Sequence, residues 1–110
     1  DAPLSKTSVK VLLNLILIAI EALARGGTVS VRLKNDGDAT QISVAAAGDR
    51  ARLTESYIAS MAGDVDEDSL DARASQPYYT SKLAESFGTT IDYSVPTNDR
   101  IELGIRAPKA

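Results

Sequence analysis

The chain has 110 residues, a net charge of −3 from 12 basic and 15 acidic side chains, and 44% apolar residues, a balance that suits one soluble globular domain rather than a disordered segment. No cluster of Lys or Arg is present, which argues against nucleic acid and anionic membranes as partners. Cysteine and histidine are both absent, which excludes disulfides, thiolate or imidazole metal sites, Ser–His–Asp or Cys–His catalysis and a phosphohistidine within this sequence.

The first residue is Asp1 rather than Met, and a missing upstream segment is suspected. Ser5 and Ser8 offer N-cap side chains and Gly26-Gly27 a stop, so the pattern predicts a helix over residues 7–25. At 100° per residue Lys10, Asn14, Glu21 and Arg25 fall in one narrow stripe, and the rest of the surface is apolar. So broad an apolar surface is expected to be covered on more than one side. Its longest apolar run, residues 11–20, is about half of what a bilayer requires.

Residues 28–34 alternate, with Val29, Val31 and Leu33 on one face. The turn Asn35-Asp36-Gly37-Asp38 follows, then a second alternating run with Ile42, Val44 and Ala46 inward. Gly48-Asp49 is expected to open a helix reaching about Ala62, with Leu53, Tyr57, Ile58 and Met61 at core spacing. Residues 63–74 read as an acidic loop. A calcium site there lacks the Gly and Glu of the EF-hand pattern, since Ser69 and Ser75 stand at those positions. Ser75-Gln76-Pro77 suits a helix start, Tyr79, Leu83 and Phe87 share a face, and Gly88 ends the helix. A closing hairpin places Ile91, Tyr93 and Val95, then Ile101, Leu103 and Ile105, toward the core, while Arg32, Arg100, Glu102 and Arg106 read as solvated cross-strand partners. The order α–ββ–α–α–ββ predicts an α+β fold: a two-layer sandwich with a mixed, mostly antiparallel sheet and helices on one face.

These residues resemble a known family. Val11-Leu-Leu-Asn14-Leu-Ile-Leu-Ile18-Ala19-Ile-Glu21, followed by two glycines and a strand, is similar to the N box (N-L-x-x-N-A-x-K) of histidine-kinase-type ATPase domains. Ile42-Ser-Val-Ala-Ala46-Ala-Gly48-Asp-Arg50 stands where that family has I-x-V-x-D-x-G-x-G, and residues 82–91 and 105–108 match its last helix and closing strands. The resemblance implies a nucleotide site whose residues are replaced. Asn14, Ile18, Glu21, Ala46, Gly48 and Arg50 are its vestigial positions. Ile18 replaces a magnesium ligand and offers no oxygen, Glu21 replaces a base and repels phosphate, and Ala46 replaces the adenine-reading Asp. Arg50 replaces a Gly, filling space that the nucleotide needs, and residues 74–79 replace the glycine-rich phosphate segment.

A kinase-like domain stripped in this way resembles the C-terminal domain of ChpT-type histidine phosphotransferases. That resemblance implies a cytoplasmic two-component phosphorelay, receiver domains as partners, no cofactor or metal, no catalysis by this domain, and a parent that dimerises through an upstream helical bundle bearing the acceptor His. The alternatives are an inactive ATPase-like domain of a sensor kinase, an active nucleotide-binding domain with unusual residues, and a small-molecule or protein binding module. For individual residues, Asn14 reads either as a remnant of the site or, more simply, as an amide with a local partner. Ile18 fills the vacated space or forms a docking patch, and packing favours the first. Gly48 serves a turn rather than a ligand. One of Tyr78 and Tyr79 packs with Leu83 and the other faces out.

Overall fold

A computed structural model describes residues 6–23, 25–61 and 75–108; the acidic loop and the Ser5 cap lie outside the described residues. The order is α1 (Lys6–Glu21), β1 (Thr28–Asp36), β2 (Ala39–Ala47), α2 (Glu55–Met61), α3 (Ser75–Glu85), β3 (Asp92–Thr97) and β4 (Arg100–Pro108). The four strands form one sheet in the order β1-β2-β4-β3, and every described pairing is antiparallel. This is the α+β sandwich that the patterning predicts.

Alternation places the core. Ile42, Val44 and Ala46 on β2 pair across with Ile105, Leu103 and Ile101 on β4, and all six are buried. Val11, Leu15 and Ile18 of α1 belong to the same buried cluster, as do Tyr57 and Met61 of α2 and Ala84 of α3. α1 lies across β2 and β4 with α3 beside it.

Four expectations are corrected. α2 begins at Glu55, not at Gly48-Asp49, because Arg50 adopts a left-handed φ of 57° that no α-helix accommodates. Thr54 starts the helix instead, its Oγ1 accepting the Tyr57 N–H at 3.3 Å. In α3 the buried residues are Pro77, Thr80, Ser81 and Ala84, whereas Tyr79 is 52% exposed and Leu83 and Phe87 are half-buried. Small side chains let α3 approach its neighbours closely, and the Thr80 and Ser81 hydroxyls are satisfied by Gln76 and Tyr78 carbonyls at 2.8 and 2.6 Å. On β3 the pairing register shifts between Ser94 and Thr97, which leaves Val95 exposed. Finally, Arg100 bonds Glu102 on its own strand at 2.9 Å rather than across the sheet.

The broad apolar surface of α1 is covered on its sheet side, while Val9, Leu13, Leu17 and Ile20 are exposed. β1 repeats the pattern at the sheet edge. Val31 and Leu33 pair with Val44 and Ile42 and so share the helix-bearing face, yet they are 44% and 45% exposed.

Candidate functional site

Ala46, Gly48 and Arg50 follow one another where β2 leaves toward α2, while Asn14, Ile18 and Glu21 lie along α1. Ile18 and Ala46 are fully buried members of the common core. A branched alkyl group and a methyl supply no oxygen to a metal and no acceptor to a base. Asn14, one helical turn before Ile18, is half-buried. Its Nδ2 donates to the Lys10 carbonyl at 2.8 Å, and its Oδ1 accepts from Gln76 Nε2 at 3.3 Å. The amide therefore pins the start of α3 against the middle of α1. Glu21 and Arg50 are exposed. Arg50 thus stands at the surface, on the cleft lined by Asp49, Arg52, Asn98 and Asp99.

Backbone contacts hold this end together. Helix α1 closes through Ala22 and Leu23 N–H groups bonded three residues back, at 3.1 and 2.9 Å, and Gly26 and Gly27 then turn the chain with φ of 86° and 148°. The Ala22 carbonyl left over accepts the Arg52 N–H at 3.1 Å, and the Gly48 N–H donates to Asp99 O at 2.9 Å. Gly27 and Gly48 touch backbone to backbone: a Cβ on Gly27 would collide with the Ala47 carbonyl, and one on Gly48 with the Gly26 carbonyl. Gly48 thus serves close chain approach as well as the turn.

Charged residues ring this junction, bonded to one another through side chains and backbone. Arg25 meets Asp49 at 3.2 Å, and the Arg50 N–H donates to Asp99 Oδ1 at 3.3 Å. Arg52 donates to the Asn98 carbonyl at 2.9 Å. Asp49, Arg50, Arg52, Asn98 and Asp99 line an open cleft of about 500 Å³. A larger one, about 620 Å³, lies at the opposite end of β2 among Gly37, Asp38, Phe87, Gly88 and Arg106. It contains none of the vestigial residues.

Sequence patterning identifies neither Gln76 as the partner of Asn14 nor Arg52 and Asp99 as members of this junction. Each reads alone as a helix start, a solvated base or a turn, and only the fold supplies its partner. On the outer side of α3, Lys82 meets Glu85 at 3.1 Å and lies 5.1 Å from the Tyr78 ring centre. The bond to Glu85 raises the Lys82 pKa, an effect present below the usual lysine range, lost as pH rises through the raised value, and weakened by solvent at so exposed a group.

Comparison with known proteins now decides the family. The model of the histidine phosphotransferase C-terminal domain matches residues 1–99. The chain belongs to that family. Among relatives of this histidine phosphotransferase domain, the protein phosphotransferase ChpT of Brucella abortus (strain 2308) is 34% identical over 96 residues, which are 87% of this chain and 46% of the relative. A solved structure of a bacterial phosphotransferase superposes with a TM-score of 0.80 at 34% identity, covering 92% of this chain and 49% of that one. The domain thus spans about half the length of the relatives it matches. Among its described residues no helix is long and apolar enough to cross a membrane.

Proposed function

We propose that this chain is a single ATPase-like domain, without catalysis or nucleotide binding of its own, of a cytoplasmic histidine phosphotransferase that passes phosphoryl groups between receiver domains. The observation that carries the reading is the pairing of family membership with the chemistry of the old site. The positions that would hold magnesium and read adenine are a buried isoleucine and a buried alanine. Burying a nucleotide triphosphate against them would strand its charge and its ring nitrogens without partners. The acceptor histidine belongs to the part of the parent outside this chain, since no histidine occurs here. That part also forms the parent's dimer. The domain's contribution is to support it and to help seat the receivers.

The test uses the full-length parent. Incubated with a phosphorylated receiver domain and no ATP, it is expected to take up the label and pass it to a second receiver. Incubated with γ-labelled ATP alone, it is expected to stay unlabelled. Labelling by ATP alone would instead make it a kinase.

A further inference from the structure

We infer that the outer edge of β1 is a binding site for an extended, acidic segment of a partner protein, which adds to the sheet as a further strand. The two edges of the sheet, β1 and β3, are built differently. β3 has six residues, contains Pro96, which has no N–H to donate, and slips in register between Ser94 and Thr97. Such features blunt an edge against further pairing. β1 has none of them. All nine of its residues, Thr28–Asp36, pair in unbroken register with β2. No described strand lies on its other side, so over about 30 Å its outward N–H and C=O groups have no partner strand among the described residues.

The two faces of the strand select what adds there. On the helix-bearing face two apolar rows cross the sheet, Tyr93–Leu103–Val44–Val31 and Ile105–Ile42–Leu33. Both are buried or half-buried until they reach Val31 and Leu33, which are exposed. An apolar side chain beyond each would complete its row, and residues two apart on an added strand reach both. On the opposite face Arg32 and Lys34 are exposed, and the residues paired with them, Ser43 and Gln41, carry no charge. Neither cation forms a salt bridge with another described residue. The other charge of β1, Asp36, closes the strand at the turn. A segment that alternates apolar and acidic residues therefore satisfies both faces, while its backbone bonds the open edge. A second copy of β1 would bring its own Arg32 and Lys34 to the cationic face, and like charges on paired strands repel.

The test titrates the full-length parent with the labelled peptide Glu-Val-Glu-Val-Glu-Val-Glu, with the same peptide carrying Lys for Glu, and with a peptide of the first composition whose valines form one block. Anisotropy gives the affinities, and amide hydrogen exchange locates the site. The alternating acidic peptide is expected to bind at least about tenfold more tightly than either control and to slow exchange within Thr28–Asp36. In the double variant Arg32→Glu with Lys34→Glu, at two exposed positions that leave the core intact, the order of the acidic and basic peptides is expected to reverse. No binding at up to about 1 mM, equal affinity for all three peptides, an unchanged order in the variant, or protection confined to other segments would each overturn the inference. Protection of β1 without any peptide would also overturn it, assigning the edge to a second copy if dilution removes the protection and to the rest of the parent if it does not. The site is independent of the phosphotransferase reading, whose failure would leave these affinities unchanged.

Discussion

The two sides of α1 are built from the same kinds of residue and have opposite fates. Toward the sheet, Val11, Leu15 and Ile18 are fully buried; away from it, Val9, Leu13, Leu17 and Ile20 stand about half exposed. Between them Asn14 ties the helix to Gln76 of α3. Hydrophobicity alone therefore does not say which surface of this helix is core and which is left exposed. Burial decides it. On the buried side, Ile18 occupies the position where the resemblance places a metal ligand, so a change of residue there tests packing and ancestry together.

The sharpest way to break the comparison is to put the same polar group on each side. Ile18→Asn restores an amide to the ancestral position, but loses buried alkyl surface and strands donors in the core. We expect a loss of about 3–5 kcal/mol in unfolding free energy by urea titration, with no gain of Mg·ATP binding, because Ala46 and Glu21 are unchanged. Gly48→Ala asks whether the buried side depends on the backbone junction behind it. The added methyl would meet the Gly26 carbonyl, and a loss of about 1–3 kcal/mol is expected by the same titration. Asn14→Ala removes the link between α1 and α3 without entering the core, at a cost of about 1 kcal/mol. The smallest effect belongs to Leu17→Asn, on the exposed side. In this chain its stability should stay within about 0.5 kcal/mol of the parent. A loss of several kcal/mol at Leu17, or none at Ile18, would erase the distinction between the two sides.

Much of the fold was legible in the sequence. The first helix is found, although it ends at Glu21 rather than at residue 25, the Asn35–Asp38 turn joins two alternating strands, and the inward triplets 42/44/46 and 101/103/105 are the sheet's core. Local chemistry dictates these features, so local reading finds them. What escaped depends on contacts between distant segments. Large Tyr79 turns out while small Thr80 and Ser81 turn in, because α3 is chosen for close approach rather than for hydrophobicity. Val31 and Leu33 alternate as core residues do, but sit on an edge strand that the helices leave largely uncovered. The candidate positions could be named one by one, as what the resemblance to the N box and its neighbours implies. Their mutual geometry was not. The Asn14–Gln76 bond spans 62 residues, and the Gly27–Gly48 contact joins two turns with no signal in either alone.

The central proposal is that buried Ile18 and Ala46 leave this domain without a nucleotide site. Titrating this chain with a fluorescent ATP analogue in the presence of Mg²⁺, and following anisotropy, tests it most directly. No saturable response is expected at analogue concentrations up to about 1 mM, where any remaining affinity would amount to only about 4 kcal/mol. Saturation in the micromolar range, competed away by unlabelled ATP, would contradict the claim.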